Sequence, residues 1–467
     1  MKDKIAFLKN SGIYFIGDFL SKLVTFFLLP VYSKYILPAD FGYFDLTNSY
    51  LMLLIPLLTA EVWVGMMRFI REDKNNTEGI IRNSFYIIFF NVILLVSALL
   101  LNVYFDFNIR YFNLISVLGI LFLLQKYYVY ICRSISTNKV FISSGILNTV
   151  IAGATNYIMI IYFKMGIESL FIAAILGLLA QIMLIEWYTQ LYKKISFRSF
   201  DFKLTTRLLK FSFPISLGSV LYFFLIYYSK IVLEKKIGLS ANGFLAIASK
   251  FTIVIVFLTS AFTMAWQDLS FSMGDDQSNY KKYENAIKLY TIVLLAGSGV
   301  VLFALHFIFP IMIDKKYDIS YEIIPLSILA VVLSAIGNFI SQTLGALKKT
   351  QIIVVSSIIS TVFNILFVGF FIDKFGINGL NIALICTFLI NIIIRFGYLK
   401  IKLKMKVQPF IIPSLLVYLL LIIYVYLTRS ALYNFIGLLL SGFVFVFLLK
   451  TEFYQIIKKG FNYLSNN

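Results

Sequence analysis

The chemistry open to this sequence rests on charges set in apolar runs. A charge in hydrocarbon costs at least ~2.5–3.5 kcal/mol on insertion scales, so each marks either a binding group or a tight pair. Asp18 and Lys22 stand four apart on one helical face, with Ser11 and Thr25 on the same stripe. Lys22 lies roughly 16 Å into its run at 1.5 Å per residue, near the middle of a bilayer. Such a pair either neutralises itself within one helix or lines a cavity and offers an ammonium to a diphosphate. Glu61 is the deep carboxylate of the second run. It is a candidate for ion coupling, because burial favours the proton-carrying form of a carboxyl, or else a structural partner for a lysine.

Other charges divide between binding and anchoring. Lys34 and Lys230 fall near the outer ends of their runs, where a long stem either snorkels to the headgroups or reaches a ligand. Lys250, beside Ser249 and Thr252, either lines a cavity or packs. Arg68 either clamps a headgroup at the cytoplasmic mouth or anchors its helix there. Lys126, only seven residues before Arg133, is expected to snorkel to the cytoplasmic face. His306, the single histidine, is expected to be a packed or interfacial residue, the alternative being a proton relay. Four lysines within the runs, Lys22, Lys126, Lys230 and Lys250, face two deep carboxylates, Asp18 and Glu61. That surplus suits an anionic headgroup and repels an organic cation.

The elements that must position these groups are membrane helices. Sixty per cent of the residues are hydrophobic, 13% are charged and mean hydropathy is +0.89. A soluble domain could not hide that much apolar surface. A spanning helix needs roughly 20 apolar residues. Fourteen runs meet this, at about 11–36, 43–68, 84–106, 111–132, 140–163, 167–189, 211–233, 243–268, 287–309, 324–347, 352–372, 376–398, 409–427 and 431–450. They are too long and too little alternating for barrel strands. The basic start followed by an apolar run looks like a signal peptide, but Asp18 and Lys22 interrupt it and no small-residue cleavage site follows. We expect a retained first span.

Summing Lys and Arg over alternate connections gives 28 on one side and nine on the other. The positive-inside rule then places both termini in the cytoplasm. The net charge of +19 is therefore a charge on one membrane face, directed at anionic lipid rather than nucleic acid. Cys132 and Cys386 both lie in apolar runs, so neither a disulfide framework nor a zinc site is expected. No nucleotide-binding or nucleophile-elbow motif appears, no cofactor is expected, and the short loops leave no room for a catalytic domain. Trp63, Trp187 and Trp266 suit interfacial belts.

The chain also repeats itself. FLLPVYSKYIL (27–37) returns as FFLIYYSKIVL (223–233), LLTA (57–60) as FLTS (257–260), TNKVFISS (137–144) as TQIIVVSS (350–357), and GIESLFIAAI (166–175) as GINGLNIALI (376–385). The order is kept throughout. Spans 1–6 thus correspond to spans 7–12 as a parallel repeat, because six is even. The expected organisation is a first lobe at 1–190, a basic cytoplasmic linker at 191–210, a second lobe at 211–400, and spans 13 and 14 with a tail at 401–467. Span 7 carries Ser212, Ser216, Ser219, Phe223 and Lys230 at helical spacing, and span 10 carries Ser327, Ser334, Asn338, Ser341 and Gly345. Such stripes mean either close helix packing or a wet cavity.

YSKYILPADFGYF at the end of span 1, GMMRFIRE after span 2, CRSISTNKVFISS and KFGINGLNIA together resemble the polysaccharide-exporter branch of the multidrug/oligosaccharidyl-lipid/polysaccharide (MOP) flippase superfamily, nearest the Wzx-type O-antigen or capsule repeat-unit flippases. The resemblance covers the whole chain. It implies two six-helix lobes around a central cavity plus two C-terminal helices, alternating access, and a bacterial plasma-membrane location. The implied substrate is a short glycan on undecaprenyl diphosphate. Membrane lipids, a polysaccharide polymerase and chain-length proteins are the implied partners of a monomeric transporter. Where the family pattern leads us to expect an Asp-Arg pair near the end of span 7, this chain has Ser229-Lys230, which lacks the bidentate fork that suits phosphate.

Overall fold

The computed structural model describes residues 23–105, 108–135, 138–194, 200–273, 277–405, 419–420 and 422–465. All regular structure among them is helical. Ten of the helical stretches are long and apolar enough to cross a membrane. Leu23–Tyr35 and Ala431–Phe447 are shorter apolar helices at the first and fourteenth expected spans. The chain is a multi-span helical membrane protein.

The helices that matter below are α1 (Leu29–Tyr35), α2 (Pro38–Thr59), α3 (Val62–Glu72), α4 (Thr77–Phe105), α5 (Phe112–Ser134), α6 (Asn138–Ile161), α7 (Ile167–Thr189), α8 (Phe202–Ile226), α9 (Tyr228–Ile237), α10 (Leu239–Phe251), α11 (Ile253–Met273), α12 (Tyr280–Met312), α13 (Ile319–Ala346), α14 (Thr350–Phe375), α15 (Ile377–Ile401) and α16 (Ala431–Ser465). Spans 3–6 and 9–12 are each one unbroken helix. Span 2 is broken at Ala60–Glu61, whereas spans 1, 7 and 8 carry only a one-residue irregularity each, at Leu28, Tyr227 and Thr252, where the backbone stays in the right-handed helical region. Pro30 follows the irregularity in span 1 and Pro56 precedes the break in span 2. A proline inside a helix removes one rung of the ladder, which prepares a break.

Compact packing divides the chain into Met1–Ile231 and Val232–Asn467. In the first unit α7 lies along α6 and against α5, while α8 covers α2 and α3. Gly177 lets α7 approach α6 closely, since a side chain there would collide with the Asn148 carbonyl. In the second unit α15 lies along α14 and against α13, and α12 packs on α16. The triplet α5–α6–α7 thus has the same neighbours within its unit as α13–α14–α15, the corresponding spans of the repeat, have within theirs.

Each triplet is held by one polar side chain from its last helix. Gln181 of α7 accepts from Gln125 Nε2 at 3.0 Å and Asn148 Nδ2 at 2.9 Å, and donates to Ser144 Oγ at 3.4 Å. Arg395 of α15 donates from Nε to Ser356 Oγ at 2.8 Å, from Nη1 to the Gly337 carbonyl at 2.7 Å and to Ser341, and from Nη2 to Ser357 Oγ at 3.1 Å. Ser144 and Ser357 are aligned in the repeat. The 28 basic residues summed on the cytoplasmic side include Arg395, counted with the connection after span 12. Instead α15 runs on to Ile401, and Arg395 is only 4% exposed.

The tryptophans also depart from the expected belt. Trp187 is 75% exposed, but Trp63 and Trp266 are buried at 3% and 7%. Trp266 stacks on Phe339 with ring centroids 5.0 Å apart and donates to Thr343 Oγ1. His306 is packed as expected, its Nδ1 2.8 Å from the Tyr321 hydroxyl, which donates to the Tyr426 carbonyl.

Candidate functional site

The site grows from the broken second span. Pro56 lacks the N–H that would bond the Met52 carbonyl, and Thr59 turns its hydroxyl back onto the Ile55 carbonyl at 2.8 Å. Ala60 (φ 47°) and Glu61 (φ 49°) then both adopt the left-handed conformation, which costs roughly 1–2 kcal/mol per non-glycine residue. The Glu61 N–H is caught by Thr59 Oγ1 at 3.3 Å, and the chain re-enters a helix at Val62. Irregular backbone at membrane depth is tolerated only where protein or a cavity satisfies it. Here the protein does part of that work. Ser212 of α8 accepts the Gly65 N–H at 3.2 Å, one of the donors that a new helix start leaves without an intrahelical partner.

This break places the Glu61 carboxylate at the N-terminus of α3, where the helix dipole favours negative charge. Ser219 Oγ donates to Glu61 Oε1 at 2.8 Å. Beside them opens a cavity of about 160 Å³. Glu61, Lys126 and Ser219 supply its polar lining, Trp63, Tyr130, Tyr222 and Tyr227 its polar aromatics, and Leu51, Ile55 and Phe122 part of its apolar wall. Lys126 stands eight residues before the end of α5, about 12 Å along the helix. Its ammonium lies 5.4 Å over the Phe122 ring and within the field of Glu61, yet the two make no direct ion pair among the described residues.

Lys126 is the largest correction to the sequence reading. It was expected at the cytoplasmic face, and it lines the cavity instead. The signal lay in KYYVY (126–130), a lysine followed by three tyrosines on a helix with no other internal charge. Trp63 was missed for a similar reason, because belts and cavities draw on the same residue type.

The expected lysine and arginine positions scatter. Lys230 pairs with Asp45 at 2.6 Å, with side chains 15% and 25% exposed, and lies over the Tyr227 ring. Asp45 had been passed over as a residue at the edge of span 2, so part of the apparent surplus of positive charge is neutralised. Arg68 pairs with Glu72 at 2.7 Å and stacks on Phe211, about 10 Å along α3 from Glu61 and outside the cavity lining. Lys34 is exposed at the end of α1 with its ammonium over Tyr35. Lys250 closes the last turn of α10 in the second unit. Asp18 and Lys22 lie outside the described residues. The serine stripe of span 7 divides by role: Ser212 packs on α3, and Ser219 faces the cavity. In the span 10 stripe Ser327 accepts from Asn381 at 2.9 Å and Ser341 meets Arg395, so both serve packing.

Far from the cavity along α2, Arg110 pairs with Asp40 at 2.8 Å and donates to the Tyr111 hydroxyl, which donates to Glu168 at 2.7 Å. The Tyr111 bond, helped by Asp40, raises the Arg110 pKa and keeps its charge fixed. This network ties α2, α5 and α7 together at one end.

No family model matches the sequence, and no curated protein matches it. Solved structures do. The lipid II flippase MurJ in an inward closed conformation superposes with a TM-score of 0.66 at 16% identity, over 95% of this chain and 99% of that one. The chain shares the fold of that structure. An inward-facing multidrug resistance MATE family transporter of the MOP superfamily gives 0.62 at 14% identity, over 82% of this chain and 94% of its own. A MOP superfamily transporter from Pyrococcus furiosus, whose binding pocket is described as reversed in polarity, gives 0.56 at 16% identity over 85% and 95%.

Proposed function

We propose that this chain is a flippase for lipid-linked oligosaccharides. It moves undecaprenyl-diphosphate-linked repeat units, of O-antigen, capsule or a similar polymer, from the inner to the outer leaflet of the bacterial plasma membrane. Two six-span lobes alternate the opening of the cavity between the membrane faces, with both termini in the cytoplasm. The diphosphate is held by membrane-embedded cations, for which Lys22, Lys34 and Lys250 are the candidates. Lys230 and Arg68 are weaker ones, because Asp45 and Glu72 already pair with them. Glu61 is the candidate coupling group.

The observation that carries this reading is the extent of the likeness to the lipid II flippase. That fold accounts for 95% of the chain, whereas the MATE fold accounts for 82%. The difference is comparable to 401–467, the stretch that holds spans 13 and 14. A second reading, export of organic cations, is favoured by the aromatic rings beside Glu61, since such cages hold cations. Lys126 in the same cavity opposes it.

Reconstituted vesicles decide between them. Flipping of a diphosphate-linked oligosaccharide and transport of an organic-cation dye are measured, each with and without a pH gradient. Movement of the glycolipid alone supports the flippase. Movement of the dye alone overturns it in favour of the multidrug reading.

A further inference from the structure

The cavity beside Glu61 has a lining that does not suit a diphosphate. It holds one carboxylate and one ammonium, Glu61 and Lys126, so its formal charge is zero. A diphosphate would face the Glu61 carboxylate as well as the ammonium, and like charges raise the cost of binding. The remaining polar groups are the tips of aromatic rings. Among the described residues nothing accepts the Trp63 indole N–H, and the hydroxyls of Tyr130 and Tyr222 have no hydrogen-bond partner. Glu61 accepts through Oε1 only, leaving Oε2 open. The lining thus brings a carboxylate oxygen, an ammonium, phenol hydroxyls and an indole N–H to one space, a set that suits a ligand carrying both donors and acceptors.

The rings add shape to that chemistry. Trp63 of α3 is only 3% exposed and backs Tyr130 of α5, with ring centroids 6.2 Å apart and tilted 37° to each other. Aromatic faces carry negative potential, and a pyranose presents a face of weakly positive C–H groups with hydroxyls around its edge. The cavity's volume of about 160 Å³ is close to the ~150 Å³ cavity that holds a single benzene ring, so one sugar ring is of the right scale.

We propose that this cavity is a sugar subsite: it takes one uncharged pyranose of the substrate, packed on Tyr130 with the buried Trp63 ring backing it. Glu61 Oε2 and the Lys126 ammonium hydrogen-bond its hydroxyls from opposite sides, and the diphosphate is held elsewhere. The inference rests on the flippase reading and specifies which part of the substrate meets this cavity.

The test compares two lipids in reconstituted vesicles, a polyprenyl diphosphate bearing a neutral oligosaccharide and the same lipid without sugar. Wild type is expected to flip the glycosylated lipid at least tenfold faster. Trp63→Ala is expected to reduce that ratio to near one by slowing the glycosylated lipid alone. Tyr130→Phe, which keeps the ring, should retain most of the ratio, and its elution profile and melting temperature should match wild type. A ratio unchanged in Trp63→Ala, or an equal slowing of both lipids by Lys126→Gln, overturns the sugar subsite and leaves the flippase reading standing. Wild-type protein that flips neither lipid overturns the flippase reading itself. As a binding check, methyl glycosides of neutral hexoses and N-acetylhexosamines should perturb Trp63 fluorescence where inorganic pyrophosphate does not. The reverse pattern overturns the proposal.

Discussion

Ser219 Oγ donates to Glu61 Oε1 at 2.8 Å, so α8 is tied to the joint between α2 and α3. The bond fixes one carboxylate oxygen and turns the other toward the cavity. A Glu61→Gln side chain can still accept from Ser219 but carries no exchangeable proton. If Glu61 couples transport to a proton gradient, Glu61→Gln keeps the fold and loses the stimulation by a pH gradient. Retained stimulation would remove Glu61 from that role. Ser219→Ala should cost about 1 kcal/mol of the joint's order and slow flipping several-fold without abolishing coupling.

The left-handed pair is a stability liability with a simple remedy. Ala60→Gly is expected to stabilise the protein by up to about 1 kcal/mol, because glycine adopts φ 47° without the Cβ penalty. Ala60→Val should lower the thermal midpoint in detergent. An Ala60→Val midpoint equal to wild type would mean that the joint relaxes freely.

Two ion pairs on neighbouring helices should differ in worth. Lys230–Asp45 is mostly shielded, whereas Arg68–Glu72 is 53% and 45% exposed. A double-mutant cycle with Asp45→Asn and Lys230→Met should give a coupling of about 1.5–3 kcal/mol, as for hydrogen bonds to charged groups. The same cycle on Arg68 and Glu72 should give ~0.3–0.5 kcal/mol. Chemical unfolding in mild detergent reads both.

Arg395 makes an unusual prediction about substitution. Its hydroxyl partners Ser356 and Ser341 already donate to the Ile353 and Gly337 carbonyls, so they stay satisfied without it. Arg395→Met should therefore be tolerated, because an apolar side chain can replace a buried charge at little cost. Arg395→Lys should be worse, since an ammonium keeps the buried charge and cannot span two serines of α14 and a carbonyl of α13 at once. Thermal unfolding that ranks lysine above methionine would contradict this account.

Much of this architecture was legible in the residues, and the exceptions have physical causes. Apolar length located the spans because backbone groups in lipid must bond within their own helix. The echo of TNKVFISS in TQIIVVSS marked the repeat, and the aligned Ser144 and Ser357 turn out to bond the last helix of each triplet. Helical spacing on span 7 picked out Ser212 and Ser219 but could not separate packing from cavity, since both demand a small polar residue. The break at Ala60–Glu61 carries no glycine and was invisible to composition; Pro56 was the only local hint. Asp45 and Arg395 were misjudged because each lies close to the end of its apolar run, where a charge reads as a headgroup anchor, while helices α2 and α15 extend beyond those ends. Lys126 was misjudged because snorkelling reach is counted along the chain, and nothing in the sequence says which way a side chain turns.

Among the described residues, the irregularities at Leu28, Ala60–Glu61, Tyr227 and Thr252 fall in the first two spans of each repeat, and of these Ala60–Glu61 alone leaves the right-handed helical conformation. A rod without a break passes a torque along its length, and a jointed rod absorbs it as bending. The second span is therefore the jointed rod of the first repeat. The carboxylate at that joint is the same one that faces the cavity, so whatever fills that space meets the chain where its helix is broken.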